Sequence, residues 1–139
     1  MGLASFSAIL EFAIRREEAA VAYLASAAGR SPDRRDLLDR LRGEAEKDLR
    51  TLRTILRENV TEMVMEPVEA LDEATYEAAV EQGGDAAQAA LSMIEKQCDF
   101  LRDAARVINL REVKRAFEKL MARKSRLADE IRKTLIPSR

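Results

Sequence analysis

The chain has 139 residues, 47% hydrophobic and 35% charged, a composition typical of a single globular domain over residues 1–139 and not of a disordered chain. Its 24 basic and 25 acidic residues give a net charge of -1, without the basic excess of a nucleic-acid-binding protein. There is no histidine, which excludes histidine-dependent catalysis and histidine-ligated metal sites. Carboxylate-only metal sites remain open.

Four stripes of apolar residues recur at alternating steps of three and four residues, the period of an amphipathic helix. They predict helices over about residues 3–29, 32–58, 85–108 and 110–135. Ser31 and Pro32 suit the N-cap and first position of the second helix, and Asp85 suits the N-cap of the third. No segment alternates with period two for long enough to predict a strand.

A long connection, residues 59–84, joins the second and third predicted helices, whereas the other two connections are short turns. Pro67 interrupts the apolar pattern there, residues 72–80 could form a short extra helix, and Gly83-Gly84 would end it. Helices joined by short turns form antiparallel hairpins. The sequence therefore predicts an all-α fold, an antiparallel four-helix bundle of two helical hairpins joined by one long crossover.

The compartment is inferred from three features. Cys98 is the only cysteine, so no internal disulfide can form, which fits a reducing environment. No apolar run reaches the length of a membrane span. Residues 1–14 lack the basic start and cleavage site of a signal peptide, and their apolar residues follow a helical period. We expect a cytoplasmic protein whose partners include neither a membrane nor a nucleic acid.

The two predicted hairpins are similar to each other. Tyr23 matches Phe100 at an offset of 77 (100 minus 23), and each is followed by a leucine and then by a pair of alanines. Leu38 matches Phe117 at an offset of 79 (117 minus 38). With the long crossover, this pattern resembles the rubrerythrin-like branch of the ferritin-like superfamily, whose bundles hold two iron ions between the helices. The resemblance covers the chain apart from the crossover.

The family's iron ligands occupy fixed positions. The first and third helices each carry an inward glutamate six residues before an aromatic residue. The second and fourth each carry Glu-x-x-His, which begins seven residues after a large apolar residue. The resemblance places these six positions at Glu17, Ala45, Asp48, Ile94, Lys124 and Leu127.

Most of these positions have lost the family residue. Only Glu17 keeps it, Asp48 could still donate an oxygen, and Lys124 carries an ammonium that opposes a metal cation. The other three side chains are aliphatic and cannot bind a metal. The resemblance therefore implies a bundle that has lost its di-iron site, with no metal, cofactor or catalytic residue.

Glu17, Asp48 and Lys124 are the three charged residues on otherwise apolar stripes, and all three fall on ligand positions. A carboxylate buried alone would be neutralised, so a buried ammonium is a suitable partner for it. We therefore predict a buried polar cluster in which Lys124 takes the place of the metals and bonds to Glu17, with Asp48 as a further partner. Alternatively, one or more of these side chains could extend to the solvent, since lysine and glutamate are long enough to do so from the edge of a bundle.

A register that differs by one residue is a further alternative. It would turn Glu18 and Glu95 toward the bundle centre, where Glu44 or Glu46 could join them in a carboxylate-only metal site. Iron or manganese would then be the expected cofactor.

Three functions are compatible with these patterns. The first is a non-catalytic structural or interaction module that forms a homo-oligomer, expected to be a dimer through a helix face, with an unspecified protein partner. The second is a divergent iron or manganese oxidoreductase or metal store that uses carboxylates alone. The third is a small-ligand binder with an apolar cavity at the former metal position. Fold resemblance alone does not decide between them.

Overall fold

The computed structural model describes residues 2–63, 67–77 and 85–135. Within these ranges four helices make up most of the chain, as the composition and periodicity predict, and two short strands are also present. The four helices are α1 (Phe6–Arg30), α2 (Arg35–Met63), α3 (Ala86–Val107) and α4 (Arg111–Leu135). The strands are β1 (Gly2–Ser5) and β2 (Pro67–Asp72), and short 3-10 turns cover Pro32–Arg34 and Glu73–Tyr76.

The two strands correct the prediction that no strand is present. β1 pairs antiparallel with β2, with Leu3 opposite Leu71. Helix α1 therefore begins at Phe6 and not at residue 3, because the Ser5 hydroxyl accepts a hydrogen bond from the Ala8 amide at 3.1 Å and caps the helix. The spacing of the apolar residues of β1 fits a helical stripe as well as a strand, so spacing alone does not distinguish a helix from a strand here.

The crossover also differs from the prediction. Helix α2 continues past Asn59 to Met63, and the Asn59 side chain is accommodated within it by donating from Nδ2 to the Ile55 carbonyl at 2.9 Å. An extra helix is expected over 72–80, but the described part of it, residues 72–77, contains the end of β2 and a 3-10 turn, at whose start the Asp72 carboxylate accepts from the Ala74 amide. Residues 78–84, including Gly83-Gly84, lie outside the described ranges.

Helix α1 packs mainly against α2 and α3 mainly against α4, with further contacts between α1 and α3 and between α2 and α4. The core forms two apolar clusters, and all four helices contribute to both. One contains Phe6, Leu52, Phe100 and Phe117. The other contains Leu24, Leu38, Ile94 and Ile131. The candidate site lies between them.

Candidate functional site

Four buried polar residues, one from each helix, separate the two apolar clusters. Glu17 of α1 is 2% exposed, Asp48 of α2 is 1% exposed, Gln97 of α3 is 9% exposed and Lys124 of α4 is 3% exposed. Each occupies a position between residues of the two clusters along its own helix. The amphipathic period that buries the apolar stripes therefore also turns these four side chains inward. We call them the polar layer.

Lys124 lies at the centre of the polar layer. Its Nζ donates a hydrogen bond to Glu17 Oε1 at 2.7 Å. The same ammonium lies 3.0 Å from Asp48 Oδ2. The structure thus brings together the three charged residues that the sequence placed on apolar stripes, and none of them extends to the solvent.

Gln97 is the hydrogen-bond donor to the second carboxylate oxygen of Glu17. Its Nε2 donates to Glu17 Oε2 at 3.1 Å, so both carboxylate oxygens of this buried side chain have a donor. Sequence reasoning did not identify this residue. The available signal was its position three residues after Ile94 and four before Leu101, on the same helical stripe.

Arg123 closes the layer beside Asp48. Its Nη1 lies 3.2 Å from Asp48 Oδ1, and its Nη2 donates to Glu44 Oε2 at 3.1 Å. The contacts of Asp48 with both cations fall outside hydrogen-bond alignment, so charge attraction holds this carboxylate. The Arg123 side chain is 35% exposed and connects the buried layer to the surface between α2 and α4.

The direction of the pKa shift of Lys124 favours its protonated form. Burial alone would lower the pKa of Lys124, but the facing carboxylates of Glu17 and Asp48 outweigh it and raise the pKa above 10.5. Burial raises the pKa of Glu17 above 4.5, against the opposing effect of the Lys124 ammonium. An ammonium has no lone pair, so Lys124 can act neither as a nucleophile nor as a metal ligand.

The residues at the six positions that the resemblance assigns to metal ligands do not fit a di-metal centre. Ala45 and Ile94 are buried core residues, and Leu127 packs half-buried against one cluster. Within the described ranges, no group of three or more cysteine, aspartate or glutamate side chains is placed to hold a metal ion. The donor set at the layer is two carboxylates facing a lysine, and such a set lacks the carboxylates that two divalent ions require.

The carboxylates of the shifted register are not brought together. Glu18 and Glu95 are 47% and 45% exposed and pair with Arg53 and Arg132 at 2.7 and 2.6 Å. Glu44 forms an ion pair with Arg123 of α4, and Glu46 forms one with Arg42 of α2. All four glutamates are at least partly exposed, and each is paired with an arginine.

An apolar cavity adjoins the polar layer beside Glu17. Phe12, Leu52, Phe100 and Tyr76 contribute to its wall. The space open to the centre of a water molecule is only about 10 Å³, which is room for about one water and not for an organic ligand.

The crossover covers this cavity through Tyr76. The Tyr76 ring packs edge-on against Phe100 at 5.1 Å between centroids, and its hydroxyl donates to Asp103 Oδ2 at 2.7 Å. Burial and this carboxylate raise the pKa of Tyr76 to about 12.

Cys98 offers no reactive thiol. It is half-buried against one apolar cluster, and burial raises the pKa of its thiol to about 11. A reactive cysteine requires the opposite, a lowered pKa at an exposed position.

In the described part of the chain, every helix is too short or too polar to span a lipid bilayer. Comparison with protein-family models, with curated proteins and with solved structures finds no match to this chain.

Proposed function

We propose that the chain is a ferritin-like, antiparallel four-helix bundle in which an internal ion pair replaces the metal centre, and that it acts as a non-catalytic structural or interaction module that forms homo-oligomers. The observation that carries this proposal is the buried Lys124 ammonium, 2.7 Å from Glu17 Oε1 and 3.0 Å from Asp48 Oδ2. The helix pairing of α1 with α2 and of α3 with α4 supports the bundle.

Charge balance explains why the layer would not take a metal. The carboxylates of Glu17, Asp48 and Glu44 carry three negative charges, and the three cations that contact them, Lys124, Arg123 and Lys47, supply three positive charges. No negative charge remains to compensate a divalent cation. A metal ion would also lie within a few ångströms of the ammonium in a medium of low dielectric constant, where like charges repel strongly.

The arrangement also offers no catalytic group. A general base must titrate near the working pH and reach a substrate, but Lys124 is held protonated and the adjoining cavity admits about one water. The remaining role for the layer is structural: it fixes four helices that present their outer faces to partners.

Metal analysis tests this proposal. The protein, produced in medium supplemented with iron and manganese, should contain no stoichiometric metal, and its Tm should not change on addition of Fe(II) or Mn(II). The variant Lys124→Glu provides the positive comparison, because it places a third carboxylate beside Glu17 and Asp48 and should gain stabilisation by Mn(II). Lys124→Gln removes the cation without adding a carboxylate and should not respond.

Stoichiometric iron or manganese in the unaltered protein, or a rise of its Tm with either ion, would overturn the proposal. A metal protein that uses carboxylate ligands alone would then be the better interpretation.

A further inference from the structure

A second pocket opens to the solvent between α1 and α3, beside the cavity that adjoins the polar layer. It holds about 170 Å³ of space open to water, against about 10 Å³ in the inner cavity. Arg16, Tyr76, Lys96 and Gln97 line both spaces, so the two adjoin each other. We call the outer space the α1/α3 pocket.

Two cations line the α1/α3 pocket, and neither has a carboxylate partner among the described residues. Arg16 of α1 is half-buried, with its Cζ 5.9 Å from the centre of the Phe12 ring, and it forms no ion pair with any described side chain. Lys96 of α3 is also half-buried and donates to a backbone oxygen, the Thr75 carbonyl, at 3.2 Å. The described lining contains no aspartate or glutamate. Both positive charges are therefore available to an anion from outside.

The rest of the wall is mainly apolar and aromatic. Tyr23 of α1 and Met93 of α3 are half-buried there, and Tyr76 contributes a second ring. The Tyr76 ring is held in place by its packing on Phe100 and by its hydrogen bond to Asp103, so this side of the pocket is already formed without a ligand. Aromatic rings and thioether sulfur make favourable contacts with another aromatic ring.

The volume of the pocket sets the size of the ligand. An apolar protein cavity of about 150 Å³ can hold benzene, whereas pockets for drug-sized molecules start at about 300 Å³. The α1/α3 pocket, with about 170 Å³, therefore has room for a single ring with a small substituent.

We propose that the α1/α3 pocket binds a small aromatic carboxylate. The carboxylate lies between Arg16 and Lys96. The ring lies against Tyr23, Met93 and Tyr76. A neutral ring leaves the two cations without a partner, and a small inorganic anion leaves the apolar wall in contact with water, so only a ligand with both parts uses the whole site. This site goes beyond the structural role proposed above and does not depend on the metal content of the polar layer.

A comparison of ligands tests both parts of the site. In an NMR titration of the isotope-labelled full chain, sodium benzoate should bind saturably with a Kd of about 1 mM or lower. The largest amide shift changes should fall on residues 16–23 and 93–97. Benzyl alcohol has the ring without the charge, and acetate and inorganic phosphate have charge without the ring. Each should bind about tenfold more weakly or worse, because each loses one class of contact. No saturable shift with benzoate, or equal binding of any of the other three, would overturn the proposal.

Variants locate the binding within the structure. Arg16→Gln and Lys96→Gln should each weaken benzoate binding about tenfold or more, since each removes a charged hydrogen-bond donor. The control Lys119→Gln removes one positive charge at an exposed position of α4 and should bind like the unaltered chain. Ala19→Phe fills the pocket but keeps both cations, and it should abolish binding. Its control Ala22→Phe adds the same ring at an exposed position of α1 and should leave binding unchanged.

Equal losses of affinity in Lys119→Gln and Arg16→Gln would show that net charge attracts benzoate, and this would contradict the pocket. An Ala19→Phe variant that is folded by circular dichroism and still binds would contradict it as well. If Arg16→Gln does not fold, Lys96→Gln and Ala19→Phe decide the outcome. None of these measurements depends on metal, so the pocket and the metal-free bundle can fail separately.

Discussion

Replacing Lys124 by methionine isolates the buried charge, since the apolar stem is largely kept and the ammonium is lost. Lys124, Glu17 and Asp48 are each at most 3% exposed. Arg123 still faces Asp48 at 3.2 Å in this variant, so the charge left without a cation is that of Glu17. Removing one partner of a buried ion pair costs roughly 3–5 kcal/mol, because the other charge stays desolvated.

This loss converts into a measurable change of Tm. An unfolding entropy of roughly 2.1 cal/mol/K per residue gives roughly 0.29 kcal/mol/K for 139 residues. Lys124→Met should therefore lower the Tm by roughly 10–17 °C at neutral pH, as measured by circular dichroism, with urea unfolding as a second measure. The control Lys119→Met, at an exposed position of the same helix, should change stability by about 0.5 kcal/mol or less.

Two further measurements identify charge as the cause. Adding Glu17→Gln to Lys124→Met should restore most of the loss, because no uncompensated carboxylate then remains. Acid should also reduce the loss: burial already raises the pKa of Glu17, and the protonated acid needs no cation. If Lys124→Met is as stable as Lys119→Met, or if the double variant is no more stable than Lys124→Met alone, the buried ion pair is not what stabilises this layer.

The pKa of Tyr76, raised to about 12, predicts that in a Tyr23→Phe variant the remaining phenol ionises near pH 12 in an ultraviolet titration. The contribution of the neutral phenol to stability is complete below pH 10.0 and is lost as the pH rises toward 12. A titration midpoint near pH 10 would contradict the burial of this side chain. The raised pKa of the Cys98 thiol, about 11 against 9.0, predicts roughly 100-fold slower alkylation at neutral pH in the folded protein than in urea, and equal rates would exclude the packed position. Gln97→Leu should lower the free energy of unfolding by roughly 1–3 kcal/mol, as measured by urea unfolding, because the buried Glu17 carboxylate loses a hydrogen-bond donor. The control Gln88→Leu changes an exposed position of the same helix. An equal loss of stability in both variants would show that this hydrogen bond contributes little.

The helices could be predicted because their signal is local. Apolar residues three and four apart in sequence lie on one helical face, and the predicted cap at Asp85 acts on an amide only two residues away. The β1–β2 pairing could not be predicted, because it depends on a contact between segments more than sixty residues apart in sequence. Leu3, in addition, suits either a helix or a strand. Tertiary pairing, and not local preference, decided the structure of these residues.

The same distinction applies to the polar layer. Glu17, Asp48 and Lys124 stand out in sequence because a charge on an apolar stripe contrasts with its neighbours. Gln97 carries no charge and gives no such contrast, and its partner lies 80 residues away in sequence. Arg123 precedes a buried lysine on a helix rich in basic residues, so nothing in the sequence distinguishes it from a solvated side chain. The ferritin-like affiliation stays a prediction.

The position of the polar layer between two apolar clusters has a consequence for how the helices align. Apolar side chains tolerate sliding, since one leucine can replace another in a similar contact. If α4 slid by one turn, about 5.4 Å, an aliphatic residue would face Glu17 and the ammonium would enter an apolar cluster without a counter-ion. We therefore expect the layer to specify a single register. A variant with Lys124→Met, Glu17→Gln and Asp48→Asn should keep its helical content but show poorer dispersion of side-chain NMR signals, and sharp, unique signals from it would refute this role.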